Sequence, residues 1–415
     1  MLGARINSEN LVQIKFFLTL FLGAVLAFDP PAIYILPLLS LFLTVVIRKE
    51  SFSLKTFQIS EKGYTLTLLF GIHLIWFVPT IFESKSFSQL EETLPLAVFP
   101  LMISSTRIST QKLKIILTWF ICALLCSYFL SLLVATYNYF YSVPRWGRAS
   151  DFFFHEQFTS GLFDIHPTYY SLLGCLATLF TFHFSNRWYR FLIVLILTIF
   201  IILINARITL LVQILLLISF LIKYIRQGFT LRKLTLTALF FFFVLILIQI
   251  TNSIYDYPHR KMLLDLKASW ARSYATDISG GDGGLVTRFA IWRGATEVIK
   301  NNPLVGVGLG NEKEFLAREF KKNNLTYLLA TPNNAHNQVL SYLISTGVIG
   351  VILLTFFFLI ILKNAYSRKC WFYFEFLAIF FIVSMTESIF DRDLGVSIFA
   401  YFNTLLILKY VNEDQ

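Results

Sequence analysis

The chain has 415 residues, 56% of them hydrophobic and only 14% charged, with a formal net charge of +11 and a mean hydropathy of +0.68. A soluble domain of that make-up would expose much of its apolar surface, so the composition excludes a soluble enzyme and points to an all-α polytopic membrane protein. The positive balance does not mark a nucleic-acid binder, because the lysines and arginines fall mainly in short connections between apolar runs, where membrane orientation requires them.

A spanning helix needs about 20 apolar residues, and twelve stretches can be marked: 11–28, 31–47, 64–82, 93–105, 112–141, 166–184, 188–205, 207–224, 234–252, 336–362, 371–388 and 394–410. The first is too long for the apolar part of a cleaved signal and leads into further spans. Pro95 and Pro100 make the short fourth stretch a candidate for a broken or re-entrant segment. From Trp188 to Tyr224 the chain is nearly continuous in apolar residues over twice the length of one span. It folds back at its only polar break, Asn205-Ala206-Arg207.

With the N-terminus in the cytoplasm, alternation puts these on the inside: Arg48, Lys49, Lys55, Lys62; Arg107, Lys112, Lys114; Arg187, Arg190; Lys223, Arg226, Arg232, Lys233; and Lys363, Arg368, Lys369. The short outside connections hold only Lys85, Arg145, Arg148, Arg207 and Arg392. That asymmetry predicts an even number of spans and two cytoplasmic termini. The chain then divides into residues 1–252 with nine spans, an external loop over 253–335, and residues 336–415 with three spans and a short tail.

Two external segments exceed simple turns. Residues 142–165 carry Arg145, Trp146, Arg148, Asp151, His155 and Glu156, which suit the lining of an entrance. In the larger loop, Ser279 to Gly284 reads as a hinge. Thr287 caps a predicted helix to about Lys300, with Phe289, Trp292, Ala295, Val298 and Ile299 as an apolar stripe suited to a membrane interface. Glu312 to Asn323 reads as a second helix, acidic in its first turn and basic in its last, as the helix dipole favours.

Thr331-Pro-Asn-Asn-Ala-His-Asn337 then opens the tenth span. Asn333 and Asn334 are good caps, so His336 is expected in the first helical turn, where the dipole disfavours imidazolium and keeps the ring neutral near pH 7. Arg207 at the outer mouth of the hairpin is either a snorkelling anchor or a ligand for anions. Arg293 reads first as a holder of lipid phosphate and second as part of a site with Arg288. His166 and Tyr169 are balanced between contact with sugar or phosphate and helix capping. Two arginines and a neutral imidazole on one external surface match the needs of phosphoryl-linked group transfer. Guanidinium forks bind pyrophosphate oxygens, and imidazole accepts a proton from a hydroxyl.

Several motifs have a plainer reading. Gly306-Val-Gly-Leu-Gly310 lacks a surrounding strand–helix–strand unit and is expected to be a tight connection, not a nucleotide loop. Asp391-Arg392-Asp393 is expected to be a self-paired polar turn before it is a metal ligand or a partner of His336. Glu387, near the outer end of the eleventh span, can polarise a partner in the site. The cysteines Cys122, Cys126, Cys175 and Cys370 lie within or beside apolar runs, so no disulfide frame or zinc site is expected.

Thr287-Arg-Phe-Ala-Ile-Trp-Arg293, Asn302-Pro-Leu-Val-Gly-Val-Gly-Leu-Gly310 and the block from His336-Asn337 to Gly350 resemble, in that order, the O-antigen ligase and Wzy-type polymerase superfamily. The Asn205-Ala-Arg207 hairpin is similar to the Ser-Arg turn of that family, with Asn-Ala in place of serine, and His166-Pro-Thr-Tyr-Tyr-Ser171 resembles its His/Asn-Pro segment. The resemblance spans roughly residues 160 to 405. It implies a membrane-embedded, GT-C-like glycosyltransferase that works without metal or other cofactor and takes a polyprenyl-pyrophosphate-linked glycan as donor. The active site would face the periplasm from the bacterial inner membrane. By the same resemblance His336 would be the general base, Arg207 and Arg288 would hold the pyrophosphate, and Arg293, His166, Tyr169 and Asn337 would contact substrate. The acceptor would be lipid A–core for a ligase, or a growing glycan for a polymerase. A transporter of lipid-linked glycans is a further alternative, disfavoured because the ionisable residues concentrate at the outer end and no half-repeat is visible.

Overall fold

The computed structural model describes residues 8–28, 64–104, 108–141, 153–184, 186–226, 266–275, 284–329 and 333–410. The predicted spans 31–47 and 234–252, Arg145 and Arg148, and the hinge before Gly284 lie outside these residues. Fifteen α-helices and no strand make up the regular structure of the described residues. In order they are α1 (Ser8–Val25), α2 (Tyr64–Phe77), α3 (Ser84–Thr93), α4 (Pro95–Ser104), α5 (Thr110–Tyr141), α6 (His155–Ser160), α7 (Pro167–Phe180) and α8 (Arg187–Ile204). There follow α9 (Arg207–Arg226), α10 (Leu266–Arg272), α11 (Gly284–Asn301), α12 (Glu312–Lys322), α13 (Gln338–Ser367), α14 (Trp371–Ser384) and α15 (Asp393–Tyr410).

Three helical stretches of the described residues are long and apolar enough to cross a membrane: α5, Arg207–Tyr224 of α9, and α13. Shorter apolar helical stretches cover Gln13–Val25, Leu68–Thr80, Trp188–Ile204 and Trp371–Ser384. The fold is that of a helical membrane protein. Helices apolar all round belong inside a bundle, and every residue of α7 is buried, as is α15 from Leu394 to Ile407. Around these two pack α4, α8 and α9, with α1 lying along α5. Ring contacts knit the centre: Phe402 lies 4.8 Å from both Phe120 and Phe180. The described part of the fourth predicted span is α4 alone. At 10 residues it extends about 15 Å, half a hydrocarbon core.

The hairpin forms where it was expected. Asn205 closes α8 in the left-handed region at φ +53°, a conformation that asparagine tolerates. Gln213 Nε2 donates to Thr198 Oγ1 across the two arms at 2.9 Å. The tenth predicted span is not one continuous helix. Gly347, at φ +65°, divides α13 into a short first segment and a longer second one. Loop 303–308 lies along the break: Val307 N donates to Ile344 O at 2.8 Å, Gly308 N to Ser345 O at 3.0 Å, and Val348 N to Pro303 O at 2.9 Å. Backbone groups freed by a break near hydrocarbon must find such partners. Gly306, Gly308 and Gly310 all have positive φ, so the glycine run is the tight connection between α11 and α12.

The loop helices form a second small core with the segment that follows them. α11 begins at Gly284, three residues before the expected cap. Its Val286, Ala290, Ile291, Ala295 and Val298 pack on Leu316 and Phe320 of α12 and on Leu325, Leu328, Ala335 and Ile344. Of the five residues of the predicted stripe, Ala295 and Val298 are buried in this core, and Trp292 and Ile299 pack against it part-buried.

The two ends of the bundle differ. At one, Lys223 pairs with Glu375 at 2.7 Å, the Arg190 guanidinium donates to Phe184 O, and Lys112 lies over the Phe16 ring. Lys363 in the last turns of α13, and Arg368 and Lys369 in its connection to α14, lie at that same end. At the other end meet the N-termini of α7, α9, α11 and α13 and the C-terminus of α14.

Candidate active site

Glu387 is the hub of that second end. α14 stops at Ser384, so Glu387 stands beyond the helix in the connection to a short 3-10 turn, Ile389–Asp391. Its Oε1 accepts Arg288 Nη2 at 3.1 Å and Thr168 Oγ1 at 3.4 Å, and its Oε2 lies 3.4 Å from His336 Nδ1. The carboxylate side chain is 7% exposed, against 34% for Arg288 and 26% for His336. It is thus the buried anchor, and the two groups above it are open to an approaching molecule. Burial pushes the Glu387 carboxyl up, but the hydrogen bond and charge of His336, followed by His166 and Arg288, overcome this and hold it below its ordinary value.

His336 is not in the first turn of a helix. The cap of α13 is Asn337, whose Oδ1 accepts Leu340 N at 3.1 Å. His336 precedes it with φ +46°, in the left-handed region where histidine is enriched among non-glycine residues. The helix-dipole argument made for it therefore does not apply. The charged group that its ring meets is the Glu387 carboxylate. Asn337 is occupied structurally at both ends of its amide, since Nδ2 donates to Met385 O at 2.9 Å.

His166 caps α7, with Nδ1 accepting Thr168 N at 3.4 Å. Tyr169 is buried and donates to Ser388 O at 3.2 Å, which ties α7 to the segment that carries Glu387. Helix capping, one of the two readings left open for this pair, is seen for His166, while Tyr169 serves as an anchor between segments. Arg293 points elsewhere. Five residues after Arg288 on one helix, it is rotated well away, donates to Ser273 O at 3.0 Å and lies 4.2 Å from the Tyr274 ring centre. It fastens α10 to α11.

Arg207, the first residue of α9, is exposed. Two residues on, Thr209 Oγ1 lies 2.7 Å from Ser171 Oγ, one turn along α7 from Thr168. Arg207 therefore shares the end of the bundle with Glu387, at its rim. Arg288 and His336 meet on one carboxylate.

A second acidic group differs from its expected pairing. Asp391 is not paired within its own turn: its Oδ2 accepts Ser341 Oγ at 2.6 Å and its Oδ1 accepts Gln89 Nε2 at 3.4 Å. Ser341 Oγ also meets Glu312 Oε2. Glu312, in the acidic first turn that the sequence indicated, is buried. Arg392 lies over the Tyr169 ring.

Residues 191–355 match a family model described as O-antigen ligase. Over those residues, about two fifths of the chain, it is similar to the O-antigen ligase family. The match is narrower than the motif resemblance, and it contains Arg207, Arg288, Arg293 and His336 but neither His166 nor Glu387. That similarity suggests a glycosyl-transferring membrane enzyme of ligase or polymerase type, with a role in lipopolysaccharide biosynthesis. No curated protein matches the chain.

Proposed function

We propose that the protein transfers a glycan from a polyprenyl-pyrophosphate carrier to an acceptor hydroxyl on the periplasmic side of the bacterial inner membrane, as an O-antigen ligase acting on lipid A–core. The observation that carries this reading is the meeting of His336 and Arg288 on buried Glu387, at the end of the bundle away from the lysine-rich connections. A carboxylate that accepts Nδ1–H fixes the tautomer of the imidazole and leaves Nε2 to take the acceptor proton. The acceptor oxygen then bonds to the anomeric carbon with inversion while the bond from that carbon to the pyrophosphate oxygen breaks. Arg288, part-exposed above Glu387, and Arg207 at the rim are suited to hold the departing pyrophosphate, whose charge they offset. No metal or organic cofactor enters this scheme.

The same chemistry serves a polymerase whose acceptor is a growing glycan, and the match over 191–355 favours neither. Purified protein in lipid, supplied with a polyprenyl-pyrophosphate glycan and either lipid A–core or a second lipid-linked glycan, separates the two by product. His336→Ala should abolish transfer while retaining donor binding. Full activity in that variant would remove the general-base role. Movement of the donor across the bilayer without bond cleavage would instead support a transporter.

A further inference from the structure

His336 is fixed through the residue before it. The Ala335 amide donates to Glu312 Oε1 at 2.7 Å, and the Ala335 carbonyl accepts the Trp292 indole N–H at 2.9 Å. Both peptide planes of Ala335 are thus pinned, and the left-handed backbone of His336 hangs from them. The other Glu312 oxygen meets Ser341 Oγ, which also lies 2.6 Å from Asp391 Oδ2. A serine hydroxyl carries one proton. It can donate to only one of these carboxyl oxygens, so its bond to the other requires a proton on that carboxyl. Asp391 receives Gln89 Nε2 as well, which favours the charged form there.

We propose that Glu312 is a positioning residue that stays protonated: it donates to Ser341 Oγ, Ser341 donates to Asp391, and this shared-proton clamp holds strap 333–337, with His336, on the bundle. Other groups face the clamp. Lys313 follows Glu312 on α12; Gln338 and Tyr342 flank Ser341 on α13; Glu92 lies on α3; Arg392 follows Asp391. Burial first, and the Asp391 charge second, push the Glu312 carboxyl up to about 8, against the bonds from Ser341 and Ala335 and the charge of Lys313. Burial likewise raises Asp391. Burial, Asp393 and Asp391 bring Glu92 up to about 7, so Glu92 is a second titrating group that the test must separate.

Above its midpoint the protonated clamp falls about tenfold in population per pH unit, and two charged carboxylates then face each other across Ser341. The experiment is hydrogen–deuterium exchange of segment 333–341 in the purified full chain, from pH 6 to 10, corrected for intrinsic base catalysis. In the native sequence, exchange should accelerate through a transition near pH 8. Glu312→Gln supplies a permanent N–H donor to Ser341 and an oxygen for Ala335, so it should stay protected throughout with no transition. Glu92→Gln should keep the transition. A native chain without a transition, a Glu312→Gln variant with an unchanged one, or loss of the transition in Glu92→Gln would each overturn the proposal. The consequence for transfer rests on the role given to His336, but the exchange measurement needs no substrate. A clamp that behaves as described, with transfer indifferent to it, would count against the base and not the clamp.

Discussion

At the scale of single residues, the site works through one buried carboxylate that orders two cationic or proton-accepting groups above it. His336→Ala should lower transfer by about 10²–10⁴-fold, the usual contribution of a general base. Glu387→Gln keeps the shape but replaces charge-assisted bonds with neutral ones of about half the strength, so it should retain a measurable fraction of activity in a single-turnover assay. Equal, complete losses in the two variants would mean that Glu387 serves folding more than proton transfer. The pH dependence has a definite sign. A carboxyl held below its ordinary value contributes stability above that value and loses it as pH falls. Acidification below about 4.5, the unperturbed glutamate value, should therefore unfasten Arg288 and His336 from Glu387. Activity and thermal stability should decline on that acid limb, and Glu387→Gln should flatten both. Arg288→Lys keeps the charge and removes the fork, so it should weaken donor binding while leaving the His336–Glu387 pair in place. Unchanged donor affinity in Arg288→Lys would argue that the arginine is spent on Glu387 alone.

At the scale of elements, what sequence could and could not reveal has physical causes. The hairpin at Asn205-Ala206-Arg207 and the helix from Glu312 are local features, set by one polar break in an apolar run and by charge placed along a dipole, and both were legible. The cap of α13 was not, because three asparagines in five residues all suit the position. The choice fell to Asn337, whose amide reaches Met385 O, a partner from another element. Burial of Glu312 was equally hidden, since an acidic first turn looks alike whether solvent or Asp391 lies opposite. Glu387 could be noticed as an ionisable residue near a span end, but not that Thr168, Arg288 and His336 converge on it. Gly347 lies within an apolar run, where nothing local in the sequence marks a break. Its backbone is left-handed, and a Cβ there would overlap the Leu304 carbonyl. Gly347→Ala should therefore cost about 1–3 kcal/mol and lower the unfolding temperature in detergent. Gly71→Ala, where a Cβ meets open space, should leave it unchanged or raised. Equal midpoints in the two variants would show that loop 303–308 does not depend on the break.

At the scale of the whole molecule, the placement of the site depends on which end of the bundle faces out. Lys112, Arg190, Lys223, Lys363, Arg368 and Lys369 lie toward one end, and the Glu387 hub lies at the other. Short connections rich in lysine and arginine stay in the cytoplasm, and the proposed function needs His336 and Arg288 on the opposite, outer side. Two exposed positions test this. Lys363 belongs to the basic end and Lys321 to the loop helix α12 beside the site. Single cysteines at Lys363→Cys and Lys321→Cys, in a chain with Cys122, Cys126, Cys175 and Cys370 replaced, can be probed with a membrane-impermeant maleimide. Intact spheroplasts should label the Lys321→Cys chain directly and the Lys363→Cys chain only after lysis. The reverse pattern would turn the hub toward the cytosol. A donor presented on the outer leaflet could then never reach Arg288, and the transfer reading would fail on topology before any question of chemistry arose.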